Sequence, residues 1–199
     1  MPRWLWILFA VGLIGWWASP PMHFARARPV GVLAADAPQQ IDLAHGQPFA
    51  VKDFRITPLA DFELTARVLS RADYRFDPAA ALSPTDLALG WGRMSDSAVL
   101  DKLQIEQSSR WYTYRWGKDG PPIPPAEIIR SSSNMHMIPA DKTVAANLLR
   151  VRPGDLVHLR GELIEARRSD GDVWRSSLSR TDTGDGACEV VWVESLDVL

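Results

Sequence analysis

The chain has 199 residues, 46% of them hydrophobic, with 22 basic and 24 acidic side chains and a formal charge of −2. With Arg3, Arg26 and Arg28 set aside, 19 basic residues remain against 24 acidic ones, a charge of −5 that disfavours generic binding of nucleic acid and other polyanions. A single cysteine, Cys188, excludes an internal disulfide framework and a cysteine-rich zinc site, and no motif requires a metal or a cofactor.

The first feature in chain order is "WLWILFAVGLIGWWA", Trp4 to Ala18. Fifteen uncharged residues make a helix of about 22 Å, short against a hydrocarbon core of about 30 Å and equally the length of a signal-peptide core. Trp4, Trp6, Trp16 and Trp17 at its two ends and a poor cleavage site at Ala18 favour an uncleaved membrane anchor over residues 1–20. A short tail followed by one long domain points to a bacterial inner membrane with the domain in the periplasm, while Arg26 and Arg28 pull the other way. Residues 21–48 are rich in Pro, Ala and Gln and read as an extended linker, with a short edge strand near Ile41 to Leu43. Residues 49–199 suit one domain without internal repeats.

Within that domain, "FAVKDFRITPLA" and "DFELTARVLSRADYRF" predict strands. In the second, Phe62, Leu64, Ala66 and Val68 alternate with Glu63, Thr65 and Arg67. "SPTDLALG" predicts a short helix capped by Ser83, and "SDSAVLDKL" another from Ser95. "IEQSSRWYTYRW" predicts one strand. "PPAEIIRSSS" and "DKTVAANLL" predict two more helices, the second capped by Asp141. "RPGDLVHLRGELIEAR" predicts a long strand bent at Gly161, "SDGD" a turn back into "VWRSSLS", and "CEVVWVESL" a closing strand. The expected class is α+β: a small, strongly curved antiparallel sheet or barrel with short inserted helices, preceded by one N-terminal transmembrane helix.

Two resemblances accompany this reading. The segment "PGDLVHLRGELIEA" resembles strands of oligonucleotide/oligosaccharide-binding barrels, which implies an OB-like barrel. The phrases "DLALGWGRMSD", "SSNMHMIPAD" and "RSSLSRTDTGDGACEVVWVE" resemble an uncharacterised group of bacterial membrane-anchored proteins, over most of the chain from about residue 28. That resemblance implies an anchored envelope protein and supplies no chemistry.

Candidate functional residues fall in three stretches. In "RWYTYRW", Tyr112, Tyr114 and Trp116 share one face of a strand and Trp111, Thr113 and Arg115 the other. An exposed aromatic face stacks bases or sugars; a half-buried strand whose rings pack is the simpler account and is preferred. In "SSSNMHMIPAD", His136 is placed opposite Met135 and Met137, with Asn134 nearby, as a general base or metal ligand or, more simply, a hydrogen-bonded anchor. In "SRTDTGDGACEVVWVE", Asp182 and Asp185 offer hard oxygens, though not at the spacing of a calcium loop, and Cys188 permits a Cys–His nucleophile pair with His136. Arg175 and Arg180 bracket a serine-rich run and offer a grip on an anion.

The first expected function is a non-enzymatic binding or assembly role for a membrane-anchored envelope domain with a protein or glycan partner. The alternative is a thiol-dependent hydrolase or transferase using Cys188 and His136. A third reading, single-stranded nucleic-acid binding, requires a cytoplasmic domain.

Overall fold

The computed structural model describes Trp4, Trp6, residues 23–184 and residues 186–199. Among these are the strands β1 (Gln39–Asp42), β2 (Phe49–Val51), β3 (Phe54–Asp73), β4 (Thr85–Gly90), β5 (Leu103–Ser108) and β6 (Trp111–Trp116). They continue with β7 (Ser132–Pro139), β8 (Leu156–Arg168), β9 (Val173–Arg175) and β10 (Glu189–Val198). Three short helices, α1 (Ser97–Leu100), α2 (Pro125–Arg130) and α3 (Lys142–Leu148), lie between strands. The class is mixed α+β, mostly strand, with a curved sheet. No helix among the described residues is long and apolar enough to cross a membrane. The expected span Trp4–Ala18 lies outside the described residues save for Trp4 and Trp6.

The pairings run in a circuit: β3 with β4, β4 with β7, β7 with β10, β10 with β8, and β8 back to β3. The β7–β10 pair is parallel, a departure from the all-antiparallel expectation, and α3 and β8 supply the long connection that a parallel pair needs. The length of β3 lets it pair with both β8 and β4 in the circuit, besides β1 and β2, and register shifts at Leu59 and Leu69 bend it along the way. The first shift also moves its side chains to the other face. Ile56 packs with Ile164 and Val190 on the outside, whereas Ala60, Phe62, Leu64, Ala66 and Val68 join Leu87, Met135, Leu163 and Val191 inside the circuit.

One end of that interior is covered by α3, whose Val144 and Leu148 belong to the inner cluster and whose first turn is capped by the Asp141 carboxylate. The other end is covered by the segment between β9 and β10, through Leu178 and the Arg180 guanidinium over the Phe62 ring.

Two local expectations are corrected. Residues 85–90 form a strand, because β4 is buried on both faces between β3 and β7 and so lacks the alternation that marks a half-buried strand. "IEQSSRWYTYRW" is a hairpin, β5–β6, turning at Ser109 and Arg110, both with positive φ. The hairpin, α1 and α2 share a separate cluster of Met94, Val99, Leu103, Ile123 and Ile128, against which Tyr114 packs. Of the expected linker, 21–48, the described residues 23–48 run extended along the domain: Ala34 is buried, β1 pairs with β3, and the Ser95 hydroxyl accepts from the Leu33 and Ala34 amides.

Candidate functional site

The inner cluster takes alternate residues of β4 and β7, so Asp86, Asn134 and His136 point to the outer face. The β5–β6 hairpin lies over that face and drives Arg110 into it. The guanidinium donates to Asp86 Oδ1 at 2.7 Å, to Asp77 Oδ2 at 2.9 Å and to the Ser83 carbonyl at 2.9 Å. Its plane stacks on Tyr74, 3.7 Å from the ring centroid, and the Tyr74 hydroxyl accepts from the Arg110 amide. Asp86 is 0% exposed, so this guanidinium is what makes a buried carboxylate tenable. His136 Nδ1 sits 2.9 Å from the same Asp86 oxygen, in close contact but without the alignment of a hydrogen bond. The Trp174 ring covers the imidazole, centroids 4.5 Å apart.

Beside this hub is a cavity of about 310 Å³ lined by Trp111, Tyr112, Tyr114, Asn134, Asp182 and Cys188 together with Ile129 and smaller neighbouring residues. Tyr112, Tyr114 and Trp116 form the predicted ladder, with centroid spacings of 5.8 and 6.3 Å. Tyr112 is largely enclosed, its hydroxyl donating to Ser132, and burial raises its pKa. Trp111 stays 44% exposed at the rim. The Asn134 amide donates to the Arg110 carbonyl at 3.0 Å, and its oxygen accepts from Gln107 at 2.6 Å. Asp182 accepts from the Ser177 hydroxyl at 2.6 Å.

Cys188 meets the Asn134 amide at 3.8 Å and the Arg110 carbonyl at 4.0 Å, and burial pushes its thiol up to about 11. Among the described residues no hydrogen bond or ion pair joins Cys188 to His136; its sulfur engages Asn134 and the Arg110 carbonyl, and the imidazole engages Asp86. A thiol raised by burial is protonated at neutral pH, and its hydrogen-bonded partners, an amide and a carbonyl, do not activate it as a nucleophile. Arg175 pairs with Glu165 on the surface, and Arg180 turns inward to Glu189, so the two arginines do not meet. Asp185 lies outside the described residues. The structure brings Tyr112, Tyr114, Asn134, Asp182 and Cys188, expected from three separate stretches of sequence, to one cavity. Sequence reasoning missed Arg110, Asp86, Asp77, Tyr74 and Trp174, for which the available signal was a lone carboxylate in the apolar run "DLALG".

Glu189 is 1% exposed, held by Arg180 and by the Ser133 hydroxyl, yet burial outweighs both and lifts its carboxyl to about 7. A carboxyl raised by folding binds its proton more tightly in the folded chain. Its contribution to stability is therefore complete below the ordinary value of 4.5 and is lost as the pH rises through about 7. Glu189→Gln is expected to flatten the pH dependence of urea unfolding between about pH 4.5 and 7. A slope unchanged by the substitution excludes this carboxyl as its source.

The fold and this site define a mixed α+β protein with a curved strand circuit and an aromatic-walled cavity on its outer face. Comparison with protein families, curated proteins and solved structures finds nothing that matches this chain.

Proposed function

We propose that this is a non-enzymatic binding module on a barrel of the oligonucleotide/oligosaccharide-binding type, and that its ligand is an uncharged glycan. We place it at a bacterial inner membrane, tethered through Trp4–Ala18 with the domain on the periplasmic side. In chain order the circuit strands are β3, β4, β7, β8 and β10. The cavity lies over the third, β7, and against the segment between the fourth and fifth, where barrels of this type take their ligands.

The observation that carries the ligand class is the lining itself. Trp111, Tyr112 and Tyr114 stand with Asn134, Ser133, Thr183 and Asp182, and no lysine or arginine is among them. Sugar rings have apolar faces that stack on aromatic rings and hydroxyl edges that suit amides and carboxylates. A phosphate-bearing strand would meet Asp182 and no cation. The protonated Cys188 thiol, between an amide and a carbonyl, supports leaving catalysis out.

The test is tryptophan fluorescence of the full chain in neutral detergent, titrated with soluble N-acetylglucosamine oligosaccharides. Saturable binding is expected, weakened about tenfold by Trp111→Ala, whose exposed ring can be removed without loss of the fold. Salt-sensitive binding of a single-stranded oligonucleotide, with no response to the sugars, overturns the reading. Reporter fusions at the C-terminus test the side of the membrane.

A further inference from the structure

The turn after α3 places two arginines side by side. Val151 is fully buried, so Arg150 and Arg152 on either side of it project outward together. A third arrives from the N-terminal segment: the Arg26 amide donates to the Pro153 carbonyl at 2.7 Å, and its guanidinium lies 3.1 Å from Asp155. That approach depends on Gly154, which has φ of +88° and where a Cβ would stand 2.0 Å from the Arg26 carbonyl oxygen. Arg26, Arg150 and Arg152 line a cavity of about 410 Å³, with Asn147, Asp155 and Asp197 as its other polar side chains.

The charges do not cancel. Asp155 is buried and already engaged by Arg26 and by the Arg152 amide at 2.9 Å. Among the described residues no hydrogen bond or ion pair engages the Arg150 or Arg152 guanidinium, which leaves two cations against the Asp197 carboxylate. The carbonyls of Leu148 and Val151, at the end of α3, are occupied by Arg71 and do not face the cavity as free acceptors.

We propose that this cavity binds a phosphate group, gripped by Arg150 and Arg152 with Arg26 at its edge. Two planar guanidinium groups offer paired donors matched to phosphate oxygens, and an arginine cluster is the usual recognition device for that anion. The phosphate arrives on a lipid headgroup or free in solution. Arg26 follows Ala18 by eight residues, so the expected anchor would leave the cavity close to the bilayer surface. The site is separate from the aromatic cavity and does not rest on the glycan reading.

The test uses the full chain in neutral detergent, titrated calorimetrically with inorganic phosphate and, separately, with short-chain phosphatidylglycerol. Binding of either is expected to weaken about tenfold in the Arg150→Gln/Arg152→Gln double variant and to strengthen about threefold in Asp197→Asn. Both substituted arginines are exposed, so an unchanged melting temperature shows that the variant is folded. Binding of inorganic phosphate marks a soluble ligand, and binding of the lipid alone marks a headgroup site. Absence of binding by both probes, or binding indifferent to the double variant, overturns the proposal.

Discussion

Arg110→Met is expected to cost about 3–5 kcal/mol of folding stability, the largest loss from any single side chain at the site. Methionine replaces the apolar stem of the arginine and removes its charge, leaving Asp86 at 0% exposure with no cation. Asp77, by contrast, is partly exposed and returns to water at little cost. The stacking on Tyr74 and the bond to the Ser83 carbonyl go as well, so the loop between β3 and β4 loses its tie to the hairpin. Urea unfolding of the two proteins at neutral pH measures the difference, and a loss below about 1 kcal/mol contradicts the assigned role of Arg110. Adding Asp86→Asn to the variant removes the stranded charge and is expected to restore part of the loss. That recovery separates the cost of an unpaired buried carboxylate from the cost of lost packing. Binding at the aromatic cavity is expected to fall with stability, because the Arg110 carbonyl holds Asn134 and the hairpin supplies Trp111, Tyr112 and Tyr114.

The hub was hidden in the sequence, whereas elements with one buried face or a local cap were readable. Phe62 to Val68 alternate because only one face of that part of β3 meets the inner cluster, and the pattern is visible without coordinates. Asp141 caps α3 through a local bond to the Val144 amide, which needs no tertiary information. Asp86 was unreadable for the opposite reason. All of β4 is buried, so its period disappears, and Ser83–Pro84 before it imitates a helix start. The hairpin turn was hidden too, since Ser109 and Arg110 adopt positive φ without the Asn-Gly or Gly-Gly signal that ordinarily announces such a turn. The tie between Arg110 and its two carboxylates, 24 and 33 residues away, follows from those two misread elements. The cavity was partly legible because its aromatic wall is contiguous in sequence. The closing segment was legible only as a loop, since the burial of Arg180 and Glu189 depends on the curvature of the sheet, of which Gly161 was the one visible sign while the shifts at Leu59 and Leu69 carry none.

Gly161→Ala tests that curvature directly and is expected to destabilise the fold by at least about 3 kcal/mol, or to prevent it. A Cβ at position 161 would stand 1.9 Å from the Trp192 carbonyl oxygen and 3.2 Å from the Glu194 nitrogen. Both are backbone atoms of the strand paired with β8, so no side chain can rotate out of the way. The position lies opposite an irregularity in β10, where Val193 pairs with Gly161 and Ser195 with Arg160, leaving Glu194 extra. Because β8 is hydrogen-bonded to β3 on its other side, it cannot retreat from β10 without breaking the β3 ladder as well. The circuit would open at β8–β10, and the start of β10, which brings Cys188 to the cavity and Glu189 to Arg180, would lose its position. Gly117→Ala is the control, since a Cβ there has no atom within 4 Å and its φ is not positive. That variant is expected to unfold at nearly the same urea concentration as the native chain. If Gly161→Ala did the same, β8 and β10 could not approach as closely at residue 161 as the circuit requires.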